Sequence, residues 1–347
     1  MAWKIGTAAA VTLVIAGVAG SALPGPAAQR AEWREGYRTP AAIPFPEDNP
    51  YSSAKAELGR RLFFDPVLSV DRDRSCATCH VPDLAWADGR PRAQSKQGGD
   101  LDLHTPSLLN VAWQDGPLGW DGKFRTLEAV PFGPIIAPGN MGLSEAEAVR
   151  RLAAEPDYRA AFAAAFPDPT VTRPRIEAAL ATFQRLIVST PAPFDRWIAG
   201  NEGAIPEAAK RGFDLFNGRA NCAACHSGWS FSDGSFHDIG VGRDGDIGRG
   251  RLKPNSLALR YAFKTPTLRD VAQRGSYMHD GSLTSLEAVI DLYDRGGIDR
   301  PSRSREIRPL TLSAGEKADL LAFLRTLTAG PSTAPAVAEL TETPPTP

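Results

Sequence analysis

The sequence predicts a mainly α-helical protein built as two copies of one unit, with long Gly/Pro-rich loops between short helices. Three observations predict it. A Cys-x-x-Cys-His motif occurs twice, at Cys76–His80 and Cys222–His226. Matching blocks of sequence surround the two motifs in the same order. Each half then closes on a stretch whose apolar residues recur at helical spacing. With 32 Gly and 30 Pro in 347 residues, loops must be frequent. Lys and Arg number 39 against 40 Asp and Glu, a net charge of −1 that argues against a nucleic-acid or anionic-membrane partner. Hydrophobic residues at 42% and charged residues at 23% suit a packed globular core and exclude wholesale disorder.

Both ends read as lying outside that fold. Residues 1–28 have the layout of a secretory signal: a basic start at Lys4, an apolar run from Ile5 to Leu23, and small residues around Ser21–Ala28. Cleavage is expected after Ala22 or Ala28. An uncleaved anchor is the alternative, but Thr7, Gly17 and Gly20 make a weak span, so no stable membrane segment is expected after processing. Residues 331–347 are rich in Pro, Thr and Ala without any period, and predict a disordered tail.

The doubled motif holds all four cysteines. Cys-x-x-Cys-His is the attachment signature of c-type haem. Two thiols at this spacing add to the two vinyl groups on one edge of the porphyrin, and the adjacent histidine faces the iron. A redox dithiol does not need the trailing histidine twice, and a zinc site would pool the two pairs into one ligand set. Cys76, Cys79 and His80 are therefore expected to hold one covalent haem c, and Cys222, Cys225 and His226 a second. Haem c attachment agrees with export and places the protein in the periplasm.

The repeat extends through both halves. Gly59-Arg60-Arg61-Leu62-Phe63 before the first motif parallels Gly212-Phe213-Asp214-Leu215-Phe216 before the second, both helix-like. Thr105-Pro106-Ser107-Leu108 through Ala112 parallels Thr265-Pro266-Thr267-Leu268 through Ala272. Trp120-Asp121-Gly122 falls where His279-Asp280-Gly281 falls, and Leu127–Val130 matches Leu286–Val289. The closing helices are expected over 175–187, with Ile176, Leu180, Phe183 and Ile187 on one face, and over 314–327, with Leu320, Phe323, Leu324 and Leu327, after an N-cap at Ser313. The units are cytochrome c-like haem domains at 29–195 and 196–330, joined near 190–205.

Each iron needs one histidine from its own motif, and the repeat frames the question of the other face. Tyr293 lies four residues after Val289 on a helix begun near Ser285; Pro134 holds the same place after Val130. Proline cannot ligate iron, so the first haem is expected to lack a ligand that the second has, leaving an open face for peroxide or oxygen. Other ligands stay in play. Met141 lies 61 residues after His80, and His104 is the other imidazole of the first half. Either would close the first haem and leave a plain electron carrier. Tyr293 has a bland reading too, as a buried aromatic with its hydroxyl satisfied. His279 and His237 sit in Gly-rich loops and read as hydrogen-bonding groups near a haem edge, or as exposed.

Taken together, these residues resemble the bacterial dihaem cytochrome c peroxidase and MauG family over roughly residues 45–328. The markers are the paired motifs, ELGRRLFFDPVLS before the first, the WDG at Trp120, FKTPTLRDV at 263–271 and HDGSLTSLEAV at 279–289. The resemblance implies that the first haem reacts with hydrogen peroxide and the second transfers electrons, with Trp120 relaying between them. It implies a small periplasmic cytochrome or copper protein as electron donor. Fourteen residues after the HDG histidine the peroxidases carry Met and MauG carries Tyr, and here the residue is Tyr293. A phenolate stabilises oxidised iron where a thioether would not. This tilts the reading towards MauG, which oxidises aromatic side chains of a partner protein.

Two positions depart from the pattern. Where the family carries a distal Glu for acid–base work, twenty residues beyond the WDG Trp, this chain has Asn140, which can orient peroxide but cannot shuttle a proton. Where an Asn contributes to a calcium site just before Thr105-Pro106, this chain has His104, a poor ligand for a hard cation. The other calcium ligands implied by the resemblance are backbone carbonyls aligned with Arg274 and Ser276. The expectation is thus an exported dihaem oxidoreductase with Trp120, Pro134 and Asn140 in the reactive region, Tyr293 and His226 on the second iron, His279 near the cofactor, and calcium in doubt.

Overall fold

A computed structural model describes residues 26–114 and 116–329. The expected signal up to residue 25 and the expected tail at 331–347 lie outside the described residues. The fold is mainly helical, as the sequence predicts. Helices α1 (Pro26–Glu35) and α2 (Ser53–Phe64) precede the first motif, and α3 (Phe132–Ile136), α4 (Glu145–Ala154), α5 (Pro156–Ala165) and α6 (Arg173–Arg185) follow it. Helices α7 (Pro193–Ile198) and α8 (Glu207–Asn217) lead to the second motif, followed by α9 (Leu286–Arg295) and α10 (Ala314–Thr326). Strands β1 (Phe236–His237) and β2 (Phe263–Lys264) pair antiparallel, with Phe236 opposite Lys264. Among the described residues no helix is long and apolar enough to cross a membrane.

The two halves are built on the same helix pair. Alpha2 packs on α6 and α8 packs on α10, in each case through a glycine that lets the backbones touch. A Cβ on Gly59 would lie 1.9 Å from the Ala179 carbonyl oxygen, and one on Gly212 would lie 2.0 Å from that of Asp319. Around these contacts Leu62, Phe63, Ile176, Leu180 and Phe183 are buried in one cluster, and Phe213, Phe216, Leu320, Phe323 and Leu324 in another. Each such side chain contributes about 1.5–3 kcal/mol on burial. The N-cap expected at Ser313 is present, in a reciprocal capping box with Glu316 on α10, and at the start of α9 the Ser285 hydroxyl accepts the Ala288 N–H.

The loops repeat as closely as the helices. Asn110 and Asp270 both take a left-handed backbone, φ 60° and 55°, before a short 3-10 turn. Ser107 and Thr267 donate their hydroxyls to the carbonyls of Ala85 and Ser230, locking the strand-like run behind each motif. Glu128 pairs with Arg185 in the first half and Glu287 with Arg325 in the second. In the first half the helix corresponding to α9 is cut short. Thr126 still caps the Ala129 N–H, but Pro131 and Pro134 leave only the five residues of α3.

Two connections tie the halves together. The segment 29–37 comes first in the chain yet packs on the second half: Arg30 pairs with Asp214, Trp33 meets Phe213 edge-on, and Tyr37 stacks on Phe231 at 4.8 Å. The joint at 190–205 is structured. Phe194 and Trp197 of α7 are buried in the second cluster, and Asp195 pairs with the buried Arg269 at 2.7 Å. Just before it, Ser189 accepts from Asn110 Nδ2 at 2.7 Å and donates to Asp270 Oδ2 at 2.5 Å, linking the two equivalent turns.

Candidate haem sites and the bridge between them

Each Cys-x-x-Cys segment forms a single 3-10 turn, Cys76–Thr78 and Cys222–Ala224, and the histidine N–H closes it by donating to the first cysteine's carbonyl, at 3.0 Å in His80 and 2.9 Å in His226. The imidazoles are then aimed in the same way. His80 Nδ1–H donates to the Trp86 carbonyl at 3.0 Å, and His226 Nδ1–H to the Phe231 carbonyl at 2.8 Å. A carbonyl only accepts, so each ring keeps its proton on Nδ1 and its Nε2 lone pair free, the arrangement that orients a metal-binding histidine. Burial holds both imidazoles below their ordinary value, favouring the neutral form that ligates iron. The four thiols are unpaired and half-buried. This chemistry fits a covalent haem at each motif.

Tyr293 projects from α9, which ends at Gly296 in the left-handed conformation that Gly tolerates (φ 80°). Tyr293 is half-buried; desolvation of its phenol pushes its pKa up, and the sulfurs of Cys222 and Cys225 are near enough to push it further. The tyrosine thus faces the second motif. In the first half Pro134 sits inside α3, its carbonyl accepting the Met141 N–H at 3.2 Å. Asn140 follows in the turn after α3, half-buried, its backbone N–H donating to Ala137. Met141 is only 2% exposed and packs in the first apolar cluster. His104 is buried, with Nδ1–H donated to the Arg90 carbonyl at 2.8 Å.

Between the halves, three residues from two loops form one hydrogen-bonded stack. Trp120 Nε1–H donates to the His104 carbonyl at 2.8 Å, and the His104 N–H donates to the His279 carbonyl at 2.8 Å. The Trp120 and His279 rings meet edge-on, 6.5 Å between centroids. The Trp120 carbonyl accepts the N–H of Lys264, fastening the first-half loop to β2. His279 is buried, stacked on Phe263 at 3.5 Å and bonded through Nε2 to Asp246 Oδ2 at 2.6 Å. His237 pairs with Asp233 at 2.7 Å beside Cys225. A Cys225 sulfur bound to haem would leave that trio without a free thiolate.

Sequence reasoning missed Asp246, Ser189 and the carbonyls of Trp86 and Phe231. None carries a signal, because backbone acceptors are not written in side-chain identity and Asp246 belongs to a Gly-rich loop without periodicity. The sequence reads His279 and His237 as hydrogen-bonding groups near a haem edge or as exposed, and the structure gives each a carboxylate partner, with His237 beside Cys225.

The pattern of the di-haem cytochrome c peroxidase family matches residues 53–203. The methylamine utilization protein MauG of Methylorubrum extorquens is 51% identical over 299 residues, covering 85% of this chain and 84% of that one. The cytochrome c551 peroxidase of Nitrosomonas europaea is 30% identical over 283 residues, 80% of this chain and 81% of its own. The crystal structure of a MauG-like protein associated with microbial copper homeostasis superposes with a TM-score of 0.77 at 35% identity, covering 84% of this chain and 93% of that one. The repeated haem motifs, the shared helix pairs and these likenesses have one explanation: the chain belongs to the dihaem cytochrome c peroxidase and MauG family, and is a haem peroxidase-type oxidoreductase with two haem c groups.

Proposed function

We propose that this protein reacts with hydrogen peroxide at the haem carried by Cys76, Cys79 and His80, and exchanges electrons through Trp120 with the haem carried by Cys222, Cys225 and His226. The observation that carries the reading is the asymmetry at one register: Tyr293 faces the second motif, and Pro134 stands at the same place in the first half. Bound haem would supply the iron redox chemistry that reduces peroxide to water with two electrons and two protons. The chain supplies everything else. His80 and His226 present Nε2 lone pairs because Nδ1 is committed to a carbonyl. Tyr293 would close the second site, and were it to release its phenol proton to solvent on binding the metal, the phenolate's negative charge would stabilise the oxidised state. Pro134 keeps the first distal side free of a ligand, and the Asn140 amide orients peroxide by hydrogen bonding. Trp120, fixed at its indole nitrogen and its carbonyl, spans the two halves.

Tyr293 and the similarity to MauG favour one version of this activity, the oxidation of aromatic side chains on a partner protein. The other version draws electrons from a small cytochrome or copper protein. We assign the protein to the periplasm after removal of residues up to Ala22 or Ala28, consistent with haem c attachment. Low-temperature EPR of the ferric holoprotein, before and after one equivalent of peroxide and with Tyr293→Phe alongside, tests the reading. The expected result is one high-spin signal lost on peroxide addition and one low-spin signal altered by Tyr293→Phe. Two low-spin signals, indifferent to peroxide in ferric and half-reduced samples, would make the protein an electron carrier.

A further inference from the structure

The family resemblance brings an expectation of calcium between the two haem units, and the residues at that place do not make a calcium site. His104 offers no side-chain oxygen, and calcium takes oxygen ligands. Its three nearest polar groups are already used: Nδ1–H on the Arg90 carbonyl, the backbone N–H on the His279 carbonyl, and its own carbonyl on the Trp120 indole. The Arg274 carbonyl accepts the Ser276 N–H. Among the described residues, the one cluster of metal-binding side chains is Cys225, Asp233 and His237, which lacks the oxygen set of a calcium site.

A fixed cation is present instead. The Arg274 side chain is folded inward, Nη2 donating to the carbonyls of Thr267, at 2.7 Å, and Arg269. Its Nε–H is buried and has no protein partner. Such a donor calls for an acceptor, and a haem c brings two propionate carboxylates. The positive charge reaches both His104 of the first half and His226 of the second, and Asp270 lies near enough to offset part of it. Burial pulls the guanidinium down to about 10, which still leaves it charged at neutral pH. A divalent ion placed beside it would meet like charge in a poorly solvated space.

We propose that the Arg274 guanidinium stands in for the divalent cation between the two halves, so that this protein couples its haem units without calcium. The proposal rests on the two-haem reading above but not on peroxide turnover. The electrostatic consequence has a definite sign. A cation near a haem favours the reduced, less positive iron, so removing it lowers the potential.

The test uses the full-length holoprotein. Haem is first counted by pyridine haemochromogen, which decides the two-haem reading by itself. Calcium is then measured by elemental analysis, and ferric EPR is recorded before and after exhaustive EGTA treatment. Redox titrations compare wild type with Arg274→Gln and Arg274→Lys. We expect calcium well below one per chain, EPR indifferent to EGTA, a negative shift of at least one midpoint potential in Arg274→Gln, and recovery of most of that shift in Arg274→Lys. One calcium per chain whose removal changes either haem's EPR signal overturns the proposal. So does an Arg274→Gln holoprotein with both potentials at their wild-type values. If Arg274→Gln does not assemble with haem, the EGTA comparison on wild type and the potentials of Arg274→Lys decide.

Discussion

The indole N–H of Trp120 is held by the carbonyl of His104, 2.8 Å away, while the N–H of His104 is held by the carbonyl of His279 at the same distance. One residue of the first half thus carries the bridge on one side and the second half on the other. A carbonyl cannot accept a proton outright, so this hydrogen bond fixes the ring without offering a base. The proposed electron exchange through Trp120 would then not be tied to deprotonation at Nε1. Trp120→Phe keeps an aromatic of similar shape but loses the N–H and the easily oxidised indole. Stopped-flow absorption should show both haems intact and the exchange between them slowed roughly tenfold or more, equivalent to about 1.4 kcal/mol of barrier or above. Unchanged exchange kinetics would remove Trp120 from the route.

The paired glycines make a prediction about stability that the duplication doubles. Gly→Ala inside a helix ordinarily gains about 1 kcal/mol of propensity. At Gly59 and Gly212 the new methyl would sit about 2 Å from a carbonyl oxygen of the facing helix, so α2 must separate from α6, or α8 from α10. Overpacking of this kind costs about 1–3 kcal/mol. Gly59→Ala and Gly212→Ala should each lower the melting temperature of the holoprotein, by similar amounts, in differential scanning calorimetry. A stabilised variant would mean that the helices can yield.

Much of this architecture was legible in the sequence because duplication supplies an internal control. The glycine at the helix crossing, the Thr-Pro block and the closing apolar face each occur twice, so a chance match at one copy is discounted by the other. The start of α10 is legible at Ser313 because its cap uses a side chain, and α9 begins near Ser285 as the repeat places it. What stayed hidden is chemistry done by the backbone or by contacts across the halves. The carbonyls that aim His80 and His226 belong to Trp86 and Phe231, whose side chains say nothing of it. Arg274 and Asp246 lie in loops where no period constrains them. The packing of Tyr37 on Phe231, far along the chain, has no local signal at all.

The ion pair repeated in the two halves is sheltered from solvent in only one of them, and there its carboxylate should respond to acid. Glu128 accepts from Arg185 at 2.6 Å and from Asn49 at 2.9 Å, and its partner is only 9% exposed. Burial pushes the Glu128 carboxyl up, but the bonds from Arg185 and Asn49 outweigh it and hold it below the ordinary 4.5. A depressed carboxyl contributes stability that is full above the unfolded value and is lost as pH falls through the folded one. Glu128→Gln should therefore cost about 2 kcal/mol at neutral pH, and the difference from wild type should shrink below about pH 4.5. The equivalent pair, Glu287 with Arg325, is more than half exposed on both sides. Glu287→Gln should cost under about 0.5 kcal/mol. Urea unfolding of both variants between pH 3 and 7 checks the contrast.

Asn140 stands where the family resemblance implies an acid–base residue, and on that proposal it offers a gain of function. The residue is half-buried in the turn that follows α3, next to the buried Met141, and its backbone is fixed by the bond to Ala137. An amide there can hold peroxide but cannot carry a proton from one oxygen to the other. Cleaving the O–O bond needs that transfer, since the departing oxygen leaves as water only when protonated. A carboxylate of nearly the same reach restores it. Asn140→Glu should raise the rate of reaction with hydrogen peroxide by up to ~10²-fold, the low end of general acid–base assistance. The increase should fall away as the solution is acidified and the new carboxyl becomes protonated before peroxide arrives, because the group must first act as a base. Asn140→Ala should lose orientation without gaining a base, and react more slowly than wild type. Stopped-flow traces of the three proteins, from pH 4 to 8, separate the two roles. If Asn140→Glu and Asn140→Ala both match wild type, residue 140 does not face the reactive haem, and the proton must travel by another group.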